Sequence, residues 1–320
     1  MKTVFVTGIS GLLGTNLALD LLENGFKVLG LVRSTKRYKG VSHPNLDLIE
    51  GSFEDDLTRW LDTAEAVVHV AAETRQNLTD YSDYLKVNCE ATQNLFDTAS
   101  QSAVKKFVFV STANTMGFGS LEDPGNEGKE VRFPFSASYY AKSKIEAENY
   151  VLGKVTGMET IVVNPTFMLG PYDTKPSSGK IILMGWKKKL VFYPPGGKNF
   201  VHVKDVSAGI LKALDRGRHG ERYLLANENL SYREFYKKLN VVADQNARLV
   251  GIPKSALMLL GHFGDLLRSL GIRSSLSTTN TRILCVNNYY SNHKSREELG
   301  LDYSSTDKSI RDAIDYFSSQ

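Results

Sequence analysis

Tyr140 and Lys144 stand four residues apart in the run Ser138-Tyr139-Tyr140-Ala141-Lys142-Ser143-Lys144. That spacing puts both side chains on one face of a helix. A free phenol titrates near about 10, too high for ready proton exchange at neutral pH. An ammonium beside it favours the phenolate, so Lys144 is expected to lower the Tyr140 pKa toward the range of a working general acid/base. Tyr139 has no lysine at the same distance. Two hydroxyls, Ser111 and Thr112, follow the apolar run Phe107 to Val110, and either can hydrogen-bond a substrate oxygen while Tyr140 moves its proton. The second chemical element is Thr7-Gly8-Ile9-Ser10-Gly11-Leu12-Leu13-Gly14. Here Gly8 permits a tight turn, Gly11 lets backbone approach a pyrophosphate, and Gly14 lets helix and strand pack closely. The helix start at Ser10, Leu12 and Leu13 offers free N–H groups and the positive end of a dipole to the anion. A plain strand–helix turn is the alternative reading of the three glycines.

These residues need a sheet to hold them. Apolar runs at Val4 to Thr7, Val28 to Val32, Leu46 to Ile49, Ala66 to Val70, Phe107 to Val110 and Ile161 to Val163 read as strands. Helical patterns separate most of them, notably Leu13 to Leu22 and Tyr84 to Ala99. Alternation of this kind predicts an α/β fold: a Rossmann-type doubly wound parallel sheet with a smaller C-terminal substrate-binding lobe. Ligands then sit beyond the carboxyl ends of the strands, where Gly8, Arg33, Ala71 and Thr112 fall. Residues 1–164 are expected to form the dinucleotide-binding domain, with 201–217 and 286–296 returning to it. Segments 165–200 and 218–285, rich in Gly and Pro at their start, are expected to form the lobe, and 297–320 the C-terminal helices.

Arg33 ends the second strand. An acid there accepts hydrogen bonds from an adenosine ribose, whereas an arginine pairs with a 2′-phosphate. Arg33, with Lys36 and Arg37 beside it, favours NADP, and a merely solvated arginine leaves NAD as the alternative.

Composition narrows the classes. The chain has 320 residues, 42% apolar and 23% charged, ordinary values for a globular protein. A net charge of +4, with Lys187-Lys188-Lys189 as the one basic run, argues against nucleic acid as a partner. Cys89 and Cys285 are too few for a disulfide framework or a zinc cluster, and no metal-ligand spacing occurs. The first residues run straight into a strand, which leaves no room for a signal peptide, and a cytoplasmic location is expected. Segment 255–270 is apolar but broken by His262, Asp265 and Arg268, which suits a buried or interface helix better than a membrane span. No membrane partner is expected. His69 lies inside an apolar strand and reads as structural. His202 and Asp205 read as packing and capping groups at a helix start.

The glycine turn, His69-Val70-Ala71-Ala72, Asn88, Ser111-Thr112 and Tyr140-x-x-x-Lys144 together resemble the extended short-chain dehydrogenase/reductases. So do Pro165-Thr166-Phe167-Met168-Leu169-Gly170-Pro171, His202-Val203-Lys204-Asp205-Val206, Gly220-Glu221-Arg222-Tyr223 and Glu298-Leu299-Gly300, so the likeness spans nearly the whole chain. Segment 179–229 is similar to the dihydroflavonol-reductase-like branch. The resemblance implies Tyr140 as general acid/base, Lys144 on the nicotinamide ribose, and Thr112 as the substrate-oxygen hydroxyl with Ser111 as runner-up. It implies Pro165 and Phe167 along the nicotinamide, Ala71 and Ala72 in the cofactor cleft, and Ser52 and Phe53 near adenine. It also implies a homodimer contact through helices 84–99 and 139–152. Two departures stand out. Gly51-Ser52-Phe53 has serine where the family often has an adenine-contacting aspartate, and Gly170-Pro171-Tyr172 has tyrosine where many nucleotide-sugar enzymes carry arginine. The implied activity is NADP(H)-dependent reduction of a small-molecule carbonyl. Epimerisation of a nucleotide sugar on tightly held NAD is the alternative, and a non-catalytic dinucleotide sensor has no need of the Tyr140/Lys144 pair. Ala113-Asn114 after the hydroxyl, in place of an Asp-Glu pair, argues against dehydration. Phe118, Phe133, Phe135, Phe167, Trp186, Phe192 and Tyr193 suggest an aromatic substrate pocket.

Overall fold

A computed structural model describes every residue except Gln76 and Arg273. The first part of the chain runs β1 (Thr3–Thr7), α1 (Leu12–Glu23), β2 (Lys27–Val32), β3 (Leu46–Glu50), α2 (Thr58–Leu61), β4 (Ala66–His69), α3 (Tyr81–Leu85), α4 (Ala91–Ser100) and β5 (Lys106–Val110). It continues through α5 (Tyr139–Gly153), β6 (Glu159–Pro165), β7 (Phe167–Leu169), α6 (Lys180–Leu183), β8 (Leu190–Tyr193), β9 (Gly197–His202), α7 (Val203–Arg216) and β10 (Arg222–Leu225). The last elements are β11 (Glu228–Ser231), α8 (Tyr232–Val242), β12 (Arg248–Gly251), α9 (Lys254–Ser269), α10 (Thr278–Ile283), β13 (Asn287–Asn288), α11 (His293–Leu299) and α12 (Thr306–Ser318).

Seven parallel strands form the main sheet in the order β3-β2-β1-β4-β5-β6-β10. The order reverses between β1 and β4, and a crevice opens there at the carboxyl ends of the strands. Helices cover both faces, so the inner strands are apolar throughout rather than alternating. On one face Leu13, Leu17 and Leu21 of α1 pack with Val206 and Ile210 of α7. On the other, Leu95 and Phe96 of α4 and Ala147 and Val151 of α5 pack on Phe107 and Phe109. Each large side chain fully buried this way contributes about 1.5–3 kcal/mol. The two cores fix α1 and α5, the helices that carry the glycine turn and Tyr140.

The predicted strands and the doubly wound sheet are borne out, and the expected helix 84–99 is α3 and α4 joined by a π-helical turn, Lys86–Glu90. The expected lobe boundary differs. Arg222–Leu225, placed by the sequence in the lobe, pairs with β6 as the seventh strand of the main sheet. Although it is an edge strand, Tyr223, Leu224 and Leu225 in it are completely buried. Within 286–296, expected to return to the main sheet, Asn287 and Asn288 instead pair with β9 in a small sheet that also holds β7 and β11. A further pair, β8 and β12, completes the lobe, whose core centres on Phe200, Phe235 and Leu239. No described helix is long and apolar enough to cross a membrane.

Candidate active site

The glycine turn leads from β1 into α1. Gly8 has φ +69°, and a Cβ there would stand 2.7 Å from the Ala71 nitrogen. A Cβ on Gly14 would stand 2.1 Å from the Gly8 carbonyl oxygen, which explains why helix and strand can approach only with glycine. Gly11 is exposed, and a Cβ on it would meet nothing nearer than the Gly8 oxygen at 3.4 Å. No side chain caps α1 and no acid sits in its first turn. Its free N–H groups beyond Ser10, at Leu12 and Leu13, therefore face an open approach suited to a pyrophosphate. These residues fit a dinucleotide.

The Thr7 hydroxyl organises the neighbouring strand end. It accepts hydrogen bonds from the Val70 and Ala71 nitrogens at 3.1 and 3.2 Å and pairs with His69 Nδ1 at 2.7 Å. His69 Nε2 meets Thr92 Oγ1 at 2.9 Å, and burial pushes the imidazole pKa down to about 3. His69 is a neutral strut that fixes the Ala71-Ala72 edge of the crevice. Arg33 is exposed just past β2, next to the exposed Lys36 and Arg37. Ser52 follows β3, its nitrogen donating to Asp55 at 2.6 Å, and Phe53 packs edge-on against His69 at 5.6 Å between ring centroids.

Ser138 caps α5, accepting from the Ala141 nitrogen, and the helix then presents Tyr140, Lys144 and Glu148 one turn apart along its inner face. The Thr112 hydroxyl, two residues past β5, favours the Tyr140 phenolate. Burial outweighs it and raises the Tyr140 pKa to about 12. Lys144 does not lower it, contrary to the expectation from sequence. The Lys144 ammonium instead donates to the Val110 carbonyl at 2.9 Å and lies 4.0 Å from the centroid of the Phe109 ring. Burial pushes its own pKa down to about 7, with Glu148 acting in the other direction. Ser111 has a buried hydroxyl without a well-formed hydrogen bond, and its influence falls on Glu148 rather than on Tyr140.

Glu148 is the residue that the sequence reading missed. Its Oε1 accepts from Thr115 Oγ1 at 2.8 Å and from Asn164 Nδ2 at 2.7 Å, and Arg222 Nη1 lies 3.7 Å from Oε2. Burial still raises its pKa. The signal was available as a third position, Tyr140-x-x-x-Lys144-x-x-x-Glu148. Asn164 also donates to the Thr112 carbonyl at 3.1 Å, locking the ends of β5 and β6 together. Asn88 holds the Glu73 backbone and donates to Ser143 at 3.0 Å, so the π-helical turn is tied to α5.

Pro165 is buried at the end of β6, and Phe167 two residues on is partly exposed with the Lys198 ammonium 4.8 Å from its ring centroid. The aromatic residues expected in one pocket do not converge. Phe118 and Phe135 pack on each other beneath the loop after β5, Phe167, Trp186 and Tyr193 join the lobe core, and Phe133 and Phe192 are exposed. Tyr172, at φ 69°, packs against Tyr316 of α12 with the two rings tilted by 45°. His202 caps α7 through the Lys204 nitrogen and pairs with Asp312 at 2.9 Å, while Asp205 holds Ser304. Among the described residues no cluster of His, Cys, Asp and Glu could hold a metal ion.

A crevice at the strand-order reversal, a bare helix N-terminus and a Tyr–Lys face define a dinucleotide-dependent oxidoreductase of the short-chain class. The chain belongs to the NAD dependent epimerase/dehydratase family, whose model matches residues 4–226. It is 29% identical over 321 residues to a putative dihydroflavonol 4-reductase of Synechocystis sp., covering 98% of this chain and 94% of that protein. It is 31% identical over 251 residues to the decarboxylating sterol-4-alpha-carboxylate 3-dehydrogenase of Dictyostelium discoideum, covering 74% and 75% of the two chains. Among solved structures, gox2253 superposes with a TM-score of 0.87 at 29% identity, covering 100% of this chain and 98% of that one.

Proposed function

We propose that this protein reduces a small-molecule carbonyl at the expense of NADPH, with Tyr140 as the proton donor. The observation that carries the reading is the inner face of α5, where the Thr112 hydroxyl acts on the Tyr140 phenol one helical turn from Lys144. A bound nicotinamide supplies the hydride. Tyr140, with its pKa raised to about 12, keeps its proton at neutral pH and is poised to give it to a developing alkoxide. Thr112 orients the same oxygen. Lys144, whose pKa lies at about 7, holds the nicotinamide ribose. Gly8, Gly11 and Gly14, with the backbone of Ser10, Leu12 and Leu13, hold the pyrophosphate. Ala71, Ala72, Pro165 and Phe167 line the crevice, with Ser52 and Phe53 on the adenine side.

Arg33 supports NADP over NAD, because an exposed arginine at the end of β2 can pair with a 2′-phosphate. The Synechocystis relative is named a putative dihydroflavonol 4-reductase and the Dictyostelium relative a sterol-4-alpha-carboxylate 3-dehydrogenase, which supports interconversion of a carbonyl and an alcohol as the reaction. The test is the nucleotide released when purified protein is denatured, followed by turnover with NADPH on a panel of aldehydes and ketones. An empty or exchangeable site with NADPH-dependent turnover is expected. Stoichiometric NAD with no NADPH oxidation would point to an epimerase instead.

A further inference from the structure

The turn that carries the Thr112 hydroxyl is held from outside its own strand. Residues Ala113–Thr115 form one short helical turn, and Thr112 caps it, its hydroxyl oxygen accepting from the Asn114 nitrogen at 3.3 Å. An oxygen that accepts there keeps its O–H free to donate, which is what a substrate oxygen needs. Two side chains from distant elements fix the turn. Asn164 of β6 donates to the Thr112 carbonyl at 3.1 Å. The Tyr290 hydroxyl, 177 residues further along the chain, donates to the Ala113 carbonyl at 2.9 Å. That carbonyl also accepts from the Met116 nitrogen at 3.1 Å, so Tyr290 supplies the second of its two bonds.

Tyr290 is itself anchored in the smaller lobe. It lies just past β13 and is 2% exposed. Its nitrogen donates to Asn229 Oδ1 at 3.0 Å, and its carbonyl accepts from Asn229 Nδ2 at 3.0 Å and from Asn199 Nδ2 at 3.4 Å. Asn229 lies on β11 and Asn199 on β9, so the small sheet holds this residue through two strands besides its own segment. The loop after the turn is shaped to the ring, because a Cβ on Gly125 would stand 2.7 Å from Tyr290 Cδ1. Met116, Phe118 and Phe135 share the apolar cluster around it. Packing there needs only the ring. A phenol hydroxyl buried in such a cluster must be paired, and the bond it makes is to the turn beside Thr112.

We infer that Tyr290 is a positioning residue for the reaction: its hydroxyl sets the turn that aims Thr112, and so ties that hydroxyl to the smaller lobe. The inference rests on the reductase reading, in which Thr112 orients the carbonyl oxygen. The network acts on Thr112 and not on Ser111, whose influence falls on Glu148.

Tyr290→Phe keeps the ring and removes only the hydroxyl, so the surrounding core stays filled. The test is a double-mutant cycle with Thr112→Val in the full chain, read as NADPH-dependent turnover of the carbonyl panel, with a thermal melt of each variant. Tyr290→Phe should lower kcat by about threefold to tenfold, the span of one neutral hydrogen bond, and leave the KM for NADPH within about twofold. In the Thr112→Val background the same change should lower kcat by less than about twofold, because Tyr290 acts through Thr112. A second readout needs no turnover. The Asn114 amide, which donates to the Thr112 hydroxyl, should exchange its hydrogen at least about threefold faster in Tyr290→Phe, while the amides inside β5 and β6 keep wild-type rates. Losses that multiply in the cycle, or wild-type exchange at Asn114 in the folded variant, overturn the inference. A Thr112→Val protein with wild-type turnover also overturns it, while leaving Tyr140→Phe to decide the reductase reading. If no carbonyl of the panel is reduced, the reductase reading fails by itself, and the exchange rate at Asn114 decides whether Tyr290 holds the turn.

Discussion

Replacing Glu148 with glutamine removes one charge from the inner face of α5 and keeps the shape. The amide oxygen can still accept from Thr115 and Asn164, while the interaction with Arg222 is lost. Side chains one helical turn apart stand about 6 Å from each other, and at an effective dielectric of about 20 two unit charges at that distance attract by about 3 kcal/mol. Arg222 offsets part of this, so the expected effect on Lys144 is about one to two pKa units. Glu148 holds the Lys144 ammonium on, against burial that has already pushed its pKa down to about 7. The variant should therefore lose the lysine proton at lower pH. Glu148 also raises the Tyr140 pKa, so its removal shifts that group downward as well. The limb of the pH profile on which kcat/KM falls with rising pH should move to lower pH by about one to two units. The assay is NADPH oxidation across pH, with a thermal melt at each point to confirm folding. A limb that stays in place in a folded variant refutes the charge argument and leaves Glu148 a structural anchor.

Arg33→Ala should weaken NADPH binding by about one to two decades and NADH binding little, because a charge-assisted contact is worth about 1.5–3 kcal/mol; equal losses measured by titration would remove the 2′-phosphate contact. Lys198 has its pKa lowered by burial from 10.5 to about 8, so the folded state bears the full cost of its charge below about pH 8 and sheds it as pH rises toward 10.5. Lys198→Met should accordingly gain about 1–3 kcal/mol at neutral pH in urea melts, with the gain shrinking toward pH 10; a variant of unchanged stability at neutral pH contradicts this.

The main sheet was legible because strands buried on both faces must be apolar along their length, as Val4 to Thr7 and Phe107 to Val110 are. β10 was not, since Arg222-Tyr223-Leu224-Leu225 is short and its place beside β6 depends on a long-range pairing. The Tyr140–Lys144 face could be read from helical spacing, as could the glycine turn from its order between strand and helix. The electrostatics could not. Spacing shows which charges are neighbours along one helix, but not that Lys144 would turn to the Val110 carbonyl or that burial would dominate the Tyr140 phenol. Glu148 escaped for the same reason, because Thr115, Asn164 and Arg222 reach it from three other parts of the chain.

Tyr140→Phe is the most direct test of the chemistry, since it keeps the ring and removes only the ionisable oxygen. With a carbonyl substrate from the panel and saturating NADPH, turnover should fall by a factor on the order of 10²–10⁴, the range for a positioned acid/base. Dinucleotide affinity should change little, because the pyrophosphate contacts lie at Gly8, Gly11 and Gly14. A Tyr140→Phe protein that turns over its substrate at the wild-type rate would contradict the assignment of Tyr140 as the proton donor, and with it the reading of this protein as a reductase of the short-chain type.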